Sequence, residues 1–131
     1  MSGFEPIAGA DERLAKAVLD AAFRVHSELG PGLLETVYEK CLAIELTKAH
    51  VPYRCQATVP IRYGGRDINS ELRVDLFVGD RIVVELKAVD HIAPVHEAQL
   101  FTYLKLTDCR LGLLLNLNVP HFKDGIKRVV R

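Results

Sequence analysis

Residues 72–88 read as a hairpin whose side chains must be sorted between two faces, and this constrains the fold more than any other stretch. Two β-rich runs flank a Gly79-Asp80 turn signal. Leu72, Val74, Leu76 and Val78 alternate with Arg73, Asp75 and Phe77; Ile82, Val84, Leu86 and Ala88 alternate with Val83, Glu85 and Lys87. Side chains alternate faces along a strand, so one face is apolar and Glu85 and Lys87 share the other. A two-residue Gly79-Asp80 loop would pair residue 78 with 81 and 75 with 84, turning Asp75 away from Glu85. Bringing Asp75 to Glu85 and Lys87 requires a three-residue loop or a bulge, and the apolar pattern asks for the same register. In that register two carboxylates and an ammonium meet, as is needed to hold a divalent cation against a phosphodiester. The plainer alternative is a solvated strand face with a Glu-Lys pair, since Asp-x9-Glu-x-Lys is short enough to arise by chance.

The 131 residues suit one domain, 1–131, with a real core, and 49% hydrophobic residues argue against disorder. No apolar run approaches the roughly 18 residues of a membrane span. The stretch Met1 to Ala10 lacks the basic and apolar regions of a leader. Cys41, Cys55 and Cys109 are odd in number, far apart and without CxxC spacing, which suggests neither a zinc site nor a disulfide framework. A reducing, cytoplasmic setting fits best. Lys plus Arg and Asp plus Glu both total 17, so the formal charge is zero. That counts against tight nonspecific binding of bulk DNA. It leaves room for a local basic patch, and Arg110, Lys123, Lys127, Arg128 and Arg131 tilt the end of the chain positive.

Along the chain, Asp11 is placed to cap a helix reaching about Leu29, with Leu14, Val18, Ala21, Val25 and Leu29 forming one apolar stripe. Gly30-Pro31-Gly32 breaks the chain, and a second helix is expected from Leu33 to about His50. Tyr53 to Tyr63, Arg66 to Val78 and Arg81 to Val89 read as strands, the second irregular around Asn69-Ser70. Pro94 suits the first turn of a third helix reaching about Leu106. Leu111 to Asn116 is a short interior strand, and Ile126 to Val130 a last one. The order is ααβββαββ, an α/β layer with a mixed sheet.

Two further groups stand out. Gly32-x-x-Glu35-x-x-Tyr38 enters the second helix, where Glu35 projects among Tyr38, Leu42, Leu46 and Ala49. A carboxylate in an apolar arc needs a partner, a proton or a metal; the alternative is a glutamate favoured by the helix dipole. If Glu35 reaches Asp75 and Glu85, three carboxylates repel and one should hold its proton. Gln99 and Tyr103, four apart on the third helix, share one face with His96 a turn earlier. They either touch a phosphate or base, or are a surface amide and a core-edge phenol; His96 reads as an ordinary surface or satisfied histidine.

Taken in order, these segments resemble the GxxExxY family, a small branch of the PD-(D/E)XK nuclease superfamily. The resemblance runs from about Leu14 to Arg128. It is carried by the run from Leu29 to Tyr38, by Arg73-Val74-Asp75-Leu76, by Val84 to Val89 with Glu85 and Lys87, by Gln99 to Leu104, by Gly112 to Asn116 and by Ile126 to Arg128. It implies a restriction-endonuclease-like core with a mixed central sheet flanked by helices. Carried over by position, Asp75 and Glu85 are metal ligands, Leu86 offers a backbone carbonyl, Lys87 is the catalytic lysine and Glu35 is an extra helix carboxylate at the metal. Gln99 and Tyr103 match the QxxxY element beside the active site. Val74 stands where the superfamily name has proline. The implied cofactor is Mg²⁺ or Mn²⁺, and the implied partner is nucleic acid, DNA before RNA. A homodimer or a partner protein stays open, and no membrane is implied. Two functions follow: a metal-dependent nuclease hydrolysing phosphodiesters with a metal-activated water, or a non-enzymatic nucleic-acid- or protein-binding module that keeps the fold. The intact Glu35, Asp75, Glu85 and Lys87 set favours the first.

Overall fold

A computed structural model describes residues 5–131; the first four residues of the segment read for a leader lie outside them. The first helix, α1 (Gly9–Leu29), buries Ala15, Val18, Ala21, Ala22 and Val25, close to the expected stripe. Asp11 is not its cap. It lies within the first turn, is buried, and pairs with Arg81 in the turn between two later strands. The second helix, α2 (Glu35–Lys48), starts two residues later than expected because Gly30 and Gly32 both take positive φ (68° and 98°). Tyr38 fastens that turn. Its hydroxyl donates to the Gly30 carbonyl at 2.6 Å and accepts from the Leu33 amide at 3.2 Å. The tyrosine of the GxxExxY pattern is thus fully buried and sets where α2 begins, which in turn places Glu35.

Two of the expected strands are each interrupted. The first divides into β1 (Tyr53–Thr58) and β2 (Ile61–Tyr63) around Val59-Pro60, and the second into β3 (Arg66–Ile68) and β4 (Arg73–Val78). Pro60 has no amide to give a ladder, and the Asn69-Ser70 region leaves the extended path. β2 and β3 form a separate exposed hairpin. β5 (Ile82–Lys87), α3 (Pro94–Thr107), β6 (Leu111–Asn116) and β7 (Ile126–Val130) follow, the last preceded by a 3₁₀ turn at Phe122–Gly125. Pro94 opens α3 as expected, and the β6 and β7 limits agree with the sequence reading.

The main sheet has five strands in the order β1-β4-β5-β6-β7. It is mixed, since β5 and β6 are parallel and the other pairs antiparallel. All six residues of β6 are buried, which accounts for the apolar run from Leu111 to Leu115. Helices α1 and α2 cover one face, with Leu76, Val78, Ile82, Val84, Leu86, Leu111, Leu113 and Leu115. Helix α3 covers the other, packing Leu100, Tyr103 and Leu104 on Val83 and Leu114. The α/β restriction-endonuclease-like architecture is therefore in place. No described helix is long and apolar enough to cross a membrane.

Val74 departs from the expected pattern. Val74 and Leu72 pack in the α3 layer, whereas Leu76 and Val78 pack under α1 and α2. The stripe changes layer at residue 75, where the strands part. Four of the five C-terminal basic residues are engaged in ion pairs. Arg128 grips Glu12 with two bonds of 2.6 Å, Arg131 pairs with Asp108, Lys127 with Glu97 and Arg110 with Glu5. All three cysteines are free thiols.

Candidate active site

The turn between β4 and β5 holds three residues, Gly79, Asp80 and Arg81, because Val78 pairs with Ile82. Gly79 and Asp80 take φ of 58° and 55°, a left-handed path that glycine adopts at no steric cost and aspartate tolerates. The register continues through Phe77 with Val83 and Leu76 with Val84, then the ladder ends. This is the register the face pattern required, and it sets Asp75 against Glu85.

Beyond Leu76 and Val84 the carboxylates take over from the ladder. The Asp75 amide donates to Glu85 Oε2 at 2.7 Å, and the Leu86 amide donates to Asp75 Oδ2 at 2.8 Å. Each acid holds the other strand's backbone, so the pair is interlocked. An ionised acceptor makes such bonds strong. Two acids this close in a dry site repel, however, and Glu85 is only 7% exposed. Burial pushes its carboxyl up to about 8, and the charge of Asp75 adds to the rise. The Asp75 amide and Lys87 pull it down, and Glu35 adds a last upward push. Asp75, Glu85 and Lys87 thus share one electrostatic neighbourhood.

Glu35 is the first residue of α2 and lies exposed at the helix start. Its charge reaches Glu85, but it does not join a tight cluster: among the described residues no three His, Cys, Asp or Glu side chains stand in metal-holding geometry. The apolar arc of Tyr38, Leu42 and Leu46 is buried without it. From the other face α3 brings Tyr103, 8% exposed. Burial raises its phenol, and the charges of Glu85 and then Asp75 raise it further, while the neighbouring Gln99 lowers it. Tyr103 therefore lies near the acidic pair, with Gln99 beside it on α3. His96 has a structural task, its Nδ1 accepting the Ala93 amide at the start of α3.

Two residues here were not picked out from the sequence. Gln56 on β1 donates to Glu39 at 2.6 Å and to Asp75 Oδ1 at 3.2 Å. Glu39 is raised by burial first and by Asp75 as well, with Gln56 opposing. Glu39 follows Glu35 by one helical turn, so the i, i+4 spacing was a usable signal. Gln56 carried none, because its place depends on a strand pairing across the β2–β3 hairpin. Asn116, 2% exposed, sews the exits of β5 and β6 together: its side chain accepts from the Val89 and Asn118 amides and donates to the Val89 carbonyl.

The donor set suits a hard divalent cation. Mg²⁺ uses oxygen ligands, commonly one or two carboxylates, and completes its shell with water and phosphate oxygens. Asp75 and Glu85 supply two such carboxylates, already oriented by backbone amides, with a net charge that favours a cation. No curated protein and no solved structure shows significant similarity to the chain. The model of the PD-(D/E)XK nuclease superfamily, by contrast, matches residues 12–129, from the first turn of α1 to the penultimate residue of β7. With nearly the whole sequence covered and the acidic hairpin in the register that family needs, the chain belongs to the PD-(D/E)XK nuclease superfamily.

Proposed function

We propose that the protein is a Mg²⁺- or Mn²⁺-dependent nuclease of the GxxExxY branch, hydrolysing phosphodiester bonds in DNA or RNA. The observation that carries this reading is the interlocked pair of half-buried Asp75 and buried Glu85, with Lys87 beside it. A structural ion pair would put a cationic side chain against each acid; here two acids face each other.

In this reading Asp75 and Glu85 hold the cation, the Leu86 carbonyl lies next in chain to be a further donor, and Glu35 faces it from the start of α2. A cation held there would supply polarisation of the scissile phosphate and a more acidic water. Lys87, beside Glu85, steadies negative charge as it builds on the phosphate. Gln99 and Tyr103 contact the substrate from α3. Burial limits water around Glu85, which strengthens these interactions.

The test is cleavage of plasmid, single-stranded DNA and RNA with Mg²⁺, Mn²⁺ or chelator. Cation-dependent cleavage of any of the three is the expected result. Tight cation binding with no cleavage of any substrate would favour a binding module that keeps the fold.

A further inference from the structure

Gln56 lies in β1 between two regular pairs, Cys55 with Leu76 and Ala57 with Val74. Its own register position faces Asp75, yet it forms no ladder pair, and its φ is 50°. A left-handed conformation is costly for a side chain of this kind, and glycine or asparagine takes it more readily. Such an outlier, once observed, is a reason to ask what it positions. The hydrogen bonds answer: one amide nitrogen reaches Glu39 Oε1 at 2.6 Å and Asp75 Oδ1 at 3.2 Å. An amide NH₂ has two donors, and both are used. The opposite amide orientation would set a carbonyl oxygen against two carboxylate oxygens, so the network fixes the flip.

We propose that Gln56 is a positioning residue for Asp75: anchored by Glu39 on α2 and aimed by its left-handed backbone, it fixes the outer carboxylate oxygen of Asp75 for cation binding with Glu85. This rests on the metal-dependent reading above. The Leu86 amide holds Asp75 Oδ2 and Gln56 holds Oδ1, so neither oxygen is free to rotate. Each oxygen keeps a second lone pair for a cation. Without Gln56, Asp75 is held on one side only, and ordering it falls to the binding event.

The deciding variant is Gln56→Gly, with Gln56→Ala beside it. Glycine removes the amide but relieves the backbone, so Gln56→Gly should melt no lower than wild type. Calorimetric titration with Mn²⁺ should nonetheless show affinity about five- to tenfold weaker, on the order of one bond's worth of preorganisation. If wild type cleaves, both variants should need more Mn²⁺ for half-maximal cleavage and approach the wild-type rate at saturating Mn²⁺. Wild-type Mn²⁺ affinity in Gln56→Gly overturns the proposal, as does a loss of affinity that tracks a loss of melting temperature. Wild type that binds Mn²⁺ but cleaves nothing ends the nuclease reading; weaker binding by Gln56→Gly in that setting still supports the positioning role. Absence of Mn²⁺ binding by wild type overturns both.

Discussion

Replacing Glu85 by glutamine should make the metal-free protein more stable, by an amount that grows with pH. The ordinary glutamate value is 4.5, and burial beside Asp75 lifts Glu85 to about 8. Between those limits the native state keeps a proton that the unfolded chain has released. Native stability therefore falls as pH rises, by up to about 1.4 kcal/mol per pH unit, and this penalty is complete above pH 8. At pH 7 it amounts to roughly 3 kcal/mol, and at pH 8.5 to roughly 5. Glutamine keeps an acceptor for the Asp75 amide while removing the titration. For a domain of this size, 3 kcal/mol corresponds to about 10 °C in Tm. Thermal melts of both proteins in chelator at pH 4, 7 and 8.5 check it. The two should coincide at pH 4, differ by about 10 °C at pH 7 and by more at pH 8.5. A gap that does not change with pH, or a variant that melts lower at pH 8.5, would refute the reasoning. Cation binding by wild type should release a proton at pH 7, whereas Glu85→Gln should neither bind tightly nor release one.

Three further outcomes are expected. Lys87→Ala should abolish cleavage while leaving the fold and most cation affinity, because a charged lysine is no ligand; Asp75→Ala should lose both, and calorimetry beside a cleavage assay separates them. Gln99→Ala and Tyr103→Phe should raise the substrate concentration for half-maximal cleavage, with Mn²⁺ affinity unchanged by titration. Tyr38→Phe should cost about 1–2 kcal/mol, read from denaturant melts, because it leaves the Leu33 amide and the Gly30 carbonyl without their partner.

Much of this was legible in residues 72–88 alone. The demand that Asp75 and Glu85 meet was enough to reject a two-residue turn, and Val78 does pair with Ile82. The run Leu111–Asn116 announced a doubly covered strand, and Pro94 a helix start. What escaped were features set by tertiary partners. Asp11 looked like a cap because capping chemistry is local, but Arg81 claims it from the far end of the hairpin. Glu35 projected into an apolar arc because a helical projection has no ends; at the first turn of α2 it is exposed, yet its charge still reaches Glu85. Val74 was assigned to the wrong layer because alternation assumes an unbroken strand. Gln56 could not be placed without knowing that β1 returns to β4 after the β2–β3 excursion.

The parted strands give the molecule a built-in reporter. In most of the sheet an amide proton is shielded by a carbonyl of the neighbouring strand, and it exchanges with solvent only when that part of the sheet opens. The protons on Asp75 and Leu86 are shielded instead by the carboxylates of Glu85 and Asp75. Anything that draws on those carboxylates, whether a proton, a cation or a charged ligand, must alter the resonance and the exchange rate of these two amides first. Two backbone signals in a nuclear magnetic resonance spectrum would then follow occupancy of the acidic pair, in the unlabelled side chains of the native sequence and without any nucleic acid present.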